Sequence, residues 1–206
     1  MTQTDNILEE KLYYDPLSVS RRTSQKRYCV QEHDKLELLL TLIEKNHYKN
    51  LVVMTKTKKG ADTVKLFLSE KGINSSVMHA NRSKQECEEA AKAFNAQTCE
   101  VLICTDKVFQ SYELRGIKYM ISYNLPLDVQ DYYTRLVSMH EAGEGISFVS
   151  EEEKYISDTL QWAMKIEIPE VTEEGFTPTQ KPEAKLFQKR KKPRHKKSKK
   201  SLPAEA

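Results

Sequence analysis

Short apolar runs recur along this chain, each followed by a polar segment and then by residues spaced like an amphipathic helix. This alternation restricts the fold more than any other feature. "LVVMT" (51–55) is apolar at successive positions, as in a strand covered on both faces. "KKGADTVKLFLSEKG" reads as a helix stopped at Gly72, because glycine enters the left-handed conformation that ends a helix at little cost. "SSVMH" is a second strand. Ser83 and Glu86 then have the spacing of a capping box, ahead of Cys87, Ala90, Ala91 and Phe94 on one helical face. "EVLIC" (100–104) and "KYMISYN" (118–124) read as strands. Asp128 is placed to cap a helix with the stripe Val129, Tyr132, Tyr133, Leu136 and Val137. "ISFVS" is another strand, and Ser150 with Glu153 opens a last helix through Met164. Upstream, Asp34 and Glu37 make a further capping-box spacing beside Leu36, Leu39, Leu40 and Ile43. Strands alternating with helices predict an α/β fold, a parallel sheet with helices on both faces. In such sheets ligands gather at the carboxyl ends of the strands, so the segments just after each strand matter most.

At 206 residues the chain has room for one domain of ordinary size with tails. Its longest apolar runs are far too short to cross a bilayer, and its N-terminus is acidic without an apolar core, so no membrane span or secretory signal is expected. The expected location is cytoplasmic. Cys29, Cys87, Cys99 and Cys104 form no C-x-x-C pair and the histidines are scattered. Neither zinc nor a disulfide framework is therefore predicted. No histidine stands in an arrangement for nucleophilic catalysis, so no catalytic residue is assigned. The Glu151 to Glu153 run is read as charge complementing a helix N-terminus.

The net charge of +3 hides a division along the chain. Residues 181–206 hold 11 Lys and Arg against 2 Glu, a balance of +9, which leaves 22 Lys and Arg against 28 acids in residues 1–180, a balance of −6. A lysine-dense block with few apolar residues cannot offset its ordering entropy, so a disordered tail is expected. Solubilisation needs no single sign of charge. A run this dense instead attracts polyanions, and counterion release would make RNA binding favourable and steeply salt dependent. A lipid surface is the weaker alternative, because the tail has no apolar face to insert. The residues expected to carry this binding are Lys189, Arg190, Lys191, Lys192, Arg194, Lys196, Lys197, Lys199 and Lys200.

The segments after the strands are "TKTKKGAD", "HANRSKQE", "TDKVFQSYE" and "YNLPLDVQDYYTR", preceded by "SQKRYCVQEHDKLELL". From about Pro16 to about Met164 the chain resembles the second RecA-like domain of DEAD-box RNA helicases, with that domain's motifs in order and without an obvious gap. The resemblance implies a single RecA-like domain, expected over residues 25–168, with a linker-like segment at 1–24 and the tail at 169–206. It also implies which positions depart from the pattern. Where the family has Tyr-x-His-Arg-x-Gly-Arg-x-Gly-Arg, supplying arginines to the γ-phosphate of ATP, Tyr132 and Arg135 match. The His is Thr134, the first Gly is Val137, and the two later arginines are Ser138 and Glu141. Where the family has Thr-Asp-x-x-x-Arg-Gly-Leu-Asp, Thr105 and Asp106 remain, while Gln110, Ser111, Tyr112 and Glu113 stand in the last four places. An arginine finger is worth on the order of a thousandfold or more in phosphoryl transfer, so these changes imply a vestigial nucleotide and interdomain face at Glu113, Arg135, Ser138 and Glu141.

The sequence as given has neither a G-x-x-x-x-G-K-[ST] loop nor Asp-Glu-Ala-Asp, so this polypeptide alone is not expected to hydrolyse ATP. No cofactor is expected, and ATP would bind only if a partner supplied the first domain. For RNA, the resemblance implies Thr105 as a phosphate contact and His79 near the RNA-facing segment, with Arg82 and Lys84 partly replacing charge lost where the family's helix Arg is Cys87. A threonine at a strand end and a serine at a helix N-cap serve equally in sheets that bind nothing. The function expected is a non-catalytic RNA-binding protein, its partner single-stranded RNA or a ribonucleoprotein. The alternative is an interaction module that docks on a helicase first domain of another chain. A decaying fragment without function is the background reading, opposed by the intact, well-capped pattern.

Overall fold

The computed structural model of this protein describes Val19, residues 23–139 and residues 143–179. Six strands, β1 Ser24–Cys29, β2 Leu51–Met54, β3 Ser75–Met78, β4 Val101–Cys104, β5 Tyr119–Ser122 and β6 Glu144–Val149, form one parallel sheet in the order β1-β6-β5-β2-β4-β3. Between them run α1 Lys35–Asn46, α2 Lys58–Glu70, α3 Lys84–Asn95, the single-turn α4 Asp106–Phe109, α5 Val129–Val137 and, after β6, α6 Lys154–Met164. Alternate residues of the central strands point to opposite faces. Val52, Met54, Leu102, Cys104 and Met120 pack with α3, α5 and α6. Leu51, Val53, Val101, Ile103 and Ile121 pack with α1 and α2. This two-sided burial is why β2 and β4 read as unbroken apolar runs.

The helix ends follow the sequence signals with one exception. Ser83 and Glu86 form a reciprocal capping box, Asp128 accepts from the Gln130 amide, and Ser150 and Glu153 make a second box on the turn leading into α6. Thr57, not singled out in the sequence, caps α2 by accepting from the Gly60 amide. At the other end of α2, Gly72 has φ +78°. There the amides of Gly72 and Ile73 donate to the carbonyls of Ser69 and Leu68, the bonding that left-handed termination permits. The exception is Asp34. It sits in a 3₁₀ turn (Glu32–Asp34) and makes no cap on α1. Its carboxylate instead accepts from the amide and hydroxyl of Thr179, at 2.8 and 2.7 Å.

Two sequence expectations change. The segment "SQKRYC" carried no strand signal, yet it forms β1, paired along its whole length with β6. Residues 169–179, expected as the start of a disordered tail, pack along β1. The Arg27 amide donates to Pro169 and the Val171 amide donates to Arg27, while Tyr28 donates to Glu173 at 2.9 Å. Val171 and Phe176 join the α1 side of the core. Enough apolar surface is buried there to hold the segment, so the domain extends to at least residue 179. Residues 180–206, with the nine cations assigned to RNA, lie outside the described residues, as do most of residues 1–22. Among the described residues no helix is long and apolar enough to cross a membrane.

One buried charge organises the start of α1. Lys35 is 0% exposed, and its ammonium donates to Glu153 at 2.6 Å and pairs with Glu32 at 2.8 Å. Glu153 also accepts from the Ser150 and Leu125 amides. Burial pushes the Glu153 carboxyl up, but Lys35 and these amides outweigh it and hold the group below its ordinary value. The acidic run thus does more than complement a helix dipole, because its third member turns inward.

Candidate functional site at the carboxyl ends of the strands

The register places Met54, Cys104, Ser122 and Met78 level with one another, so the residues one step beyond form a rim at the carboxyl edge of the sheet. Thr105 stands on this rim at the N-cap of α4, partly buried, and its side chain makes no capping bond. Lys84 is exposed and among the described residues pairs with Glu88, at 3.6 Å. Lys56, Lys58, Lys59 and Lys107 are exposed on the same rim, Lys58 donating to Asn81 at 2.7 Å. These four lysines were not singled out in the sequence. The signal for Lys56, Lys58 and Lys59 was "TKTKKG" directly after an apolar strand, and for Lys107 its place two residues beyond Thr105 in "TDKVF".

Two expected contacts are already engaged within the chain. His79 is 1% exposed. Its Nε2 donates to Asp62 at 3.0 Å and its Nδ1 accepts from the Asn81 amide, an assignment that uses both ring nitrogens. Arg82 donates to the same Asp62 oxygen at 2.6 Å and lies near Glu86. The hydrogen bond from His79, followed by that from Arg82, holds the Asp62 carboxyl below its ordinary range. His79 therefore lies beneath the surface and supports the turn at 79–82, while Arg82 presents a charge largely cancelled by Asp62.

The second group of predicted residues surrounds α5. Arg135 is 1% exposed. Its Nε and Nη2 donate to the two oxygens of Asp106 at 2.6 and 2.7 Å, and its Nη1 donates to the Ser122 hydroxyl and the Asn124 carbonyl, both at 2.9 Å. Four of the five guanidinium N–H groups are thus spent inside the domain. Of the residues expected at the vestigial face, Arg135 is thus buried. It clamps α5 to the start of α4, and Gln110 adds a bond to Asp131 at 3.1 Å across the same gap. Glu113 is exposed and paired with Arg115 at 2.9 Å, and Ser138 donates to the Arg135 carbonyl at 2.6 Å. Glu141 lies outside the described residues. The glycine that follows answers to packing: a Cβ on Gly143 would meet Met139 Sδ at 2.7 Å and the Lys118 carbonyl at 3.2 Å.

The family described as helicase conserved C-terminal domain matches residues 34–143. The chain belongs to that family. The matched stretch contains β2 to β5, the whole rim and the Arg135 clamp. Among curated relatives, the DEAD-box ATP-dependent RNA helicase RhpA of Helicobacter pylori strain 26695 is 28% identical over 143 residues, covering 68% of this chain. The chain spans only 29% of that relative's length. Among solved structures, a DEAD box protein from Methanococcus jannaschii superposes with a TM-score of 0.69 at 22% identity, covering 75% of this chain and 43% of the other. Escherichia coli SrmB bound to regulator of ribonuclease activity A gives 0.73 at 17%, covering 77% and 96%. Saccharomyces cerevisiae Dbp5 bound to RNA and ADP BeF3 gives 0.67 at 23%, covering 72% and 41%. The single RecA-like fold expected from the motifs is the fold of this helicase C-terminal domain. Among the described residues, no three His, Cys, Asp or Glu side chains are grouped to hold a metal ion.

Proposed function

We propose that this helicase C-terminal domain acts as a non-catalytic RNA-binding module, with the basic tail giving most of the affinity and the lysine rim orienting the strand. The charge division carries the reading: a domain at −6 repels a polyanion overall, whereas 181–206 at +9 attracts one. The rim supports the orientation, since Lys56, Lys59, Lys84 and Lys107 stand exposed on the segments that follow β2, β3 and β4, and Thr105 directly follows β4. For the lack of catalysis, the support is the donor set. Arg135 is committed to Asp106, Ser138 to a carbonyl and Glu113 to Arg115, so none of them fits a triphosphate as it stands. RhpA is named an ATP-dependent RNA helicase, and Dbp5 was solved with RNA and a nucleotide analogue. We carry over the RNA and leave the nucleotide. The proposed setting is the cytoplasm.

The test is anisotropy of a short labelled single-stranded RNA at several salt concentrations. Replacing the nine tail cations from Lys189 to Lys200 by glutamine is expected to weaken binding by about ten- to a hundredfold and to flatten the salt dependence, which falls by about 0.7 in logarithmic slope per lost phosphate contact. Thr105→Ala is expected to cost less, about three- to tenfold, the loss of one hydroxyl-to-phosphate hydrogen bond for which water competes at the rim. Loss of all binding in Thr105→Ala alone would make the rim the grip and remove the tail from that role.

A second reading is supported by the bonds that join 105–113 to 129–138 into one surface. SrmB bound to regulator of ribonuclease activity A, and Dbp5 bound to Gle1, were each solved with a protein partner. On this reading the surface docks on a helicase first domain of another chain. A concentration-dependent ATPase on mixing the two would support it, and no binding to any such domain would remove it.

A further inference from the structure

The largest aromatic exposure among the described residues lies on the outward side of α6. Trp162 is 83% exposed and Tyr155 81%, and their seven-residue separation puts them on one helical face. Trp162 lies in a shallow depression of about 670 Å³ that it shares with Asp158, Ile166 and Glu167, and with one cation, Lys165. The helix's buried residues, Ser157, Leu160 and Met164, face the sheet, so packing does not explain the aromatics. An exposed tryptophan and tyrosine can stack nucleic-acid bases. The surrounding charge opposes that here: residues 150–170 hold six acids and two lysines. Asp158 and Glu170 both lie within 4 Å of Arg27, at 3.9 and 3.8 Å, which gathers these acids along the β1 edge. An aromatic face rimmed by carboxylates suits a cationic chain, whose ammonium and guanidinium groups pair with the acids and sit over the rings.

The chain supplies such a segment itself. It continues from Thr179 into 181–206, at +9. Ten extended residues beyond Thr179 reach at most about 33–36 Å, comparable with the width of a domain of this size. Lys189 to Lys200 can therefore round the β1 edge to α6. We propose that the basic tail docks on the Trp162 and Tyr155 face of α6 of its own chain, with Asp158 and Glu167 as counter-charges. Tethering raises its local concentration to the millimolar range, so weak individual contacts suffice. Resting also on the RNA reading above, the docked state is self-inhibited, because the lysines that hold α6 are those that bind phosphate. RNA then has to displace the tail from α6.

Trp162 is the only tryptophan in the chain, so its quenching by acrylamide reads the docking directly. In the full chain at low salt, the quenching constant is expected to be about half or less of that in the nine-residue glutamine variant, and to rise to the variant's value near 1 M NaCl or on adding polyuridylate, as screening and competition release the tail. Asp158→Lys with Glu167→Lys is expected to expose Trp162 at all salts. The salt titration of the unaltered chain gives the same decision without any substitution. Equal, salt-independent quenching in both chains overturns the docking. Shielding that disappears on dilution assigns the tail to a second copy and overturns the intramolecular form. If Trp162 is shielded while tail neutralisation leaves RNA affinity unchanged, the docking stands and the RNA reading fails. Unshielded Trp162 with tail-dependent RNA binding gives the reverse.

Discussion

Arg135→Ala is expected to destabilise the domain by about 3–5 kcal/mol, the cost of removing one partner from a buried ion pair. The loss has three parts. Asp106 keeps its charge without its fork of two bonds, the Ser122 hydroxyl and Asn124 carbonyl lose donors, and a cavity opens where the guanidinium lay. Asp106 is partly exposed, so water recovers some of its loss and the lower half of the range is expected. In thermal unfolding followed by circular dichroism this corresponds to a drop of roughly 6–15 °C, at about 2–4 °C per kcal/mol for a chain of this size. Arg135→Lys is expected to lose most of the same stability, since one ammonium cannot reproduce the planar fork. Adding Asp106→Ala to Arg135→Ala should cost less than the sum of the two. An Arg135→Ala midpoint within about 2 °C of the unaltered protein would mean the pair does not hold α5 to α4.

The second large effect is expected at Lys35. Lys35→Met keeps the stem's volume but leaves Glu153 buried with only its capping amides and the Ser150 hydroxyl, and a loss of about 3 kcal/mol is expected at neutral pH. The pH dependence gives the diagnosis. In the unaltered protein the Glu153 carboxyl is held below its ordinary value, so its contribution is full above the unfolded carboxylate pKa of about 4.3 and is lost as pH falls through the folded value. In Lys35→Met the attraction is gone and burial dominates, which raises the carboxyl. Its penalty then grows as pH rises and is relieved by protonation. The gap in unfolding midpoint between the two proteins is therefore expected to narrow from pH 7 to pH 4. A gap that widens on acidification would rule out the Lys35 to Glu153 pair as its source. Lys35→Met with Glu153→Gln should restore much of the stability, because no charge is then buried.

These two pairs also mark where sequence reading stops. β2 and β4 were legible because strands covered on both faces read as unbroken apolar runs, β5 because Met120 and Ile121 give it an apolar centre, and α2, α3 and α5 because their end signals and stripes are local. β1 was not legible. It is an edge strand whose Lys26 pairs with Glu144 and whose Arg27 meets Asp158 and Glu170, partners more than a hundred residues away. The same distance hid the hold of Thr179 on Asp34, a carboxylate whose local spacing pointed to a cap. At the site, motif position located Thr105 and Arg135 but said nothing of what Arg135 touches. The bond to Asp106 depends on how α5 settles against β4 and β5, and the matching residues could not distinguish a free arginine from a buried one.

Residues 169–171 lie along the side of β1 that no other strand pairs with, as if beginning a seventh strand. An uncovered edge of this kind presents unpaired amides and carbonyls that another chain can pair with, and proteins protect against it with charges, bulges or a covering segment. Here Pro169, which has no amide to offer a neighbour, and the charged Glu170 start the cover, and Glu173 fastens it to Tyr28 and Lys45. A chain ended at Ile168 would lose this guard together with the core contacts of Val171 and Phe176. These residues therefore serve twice, closing the core beside α1 and keeping the sheet from growing at β1.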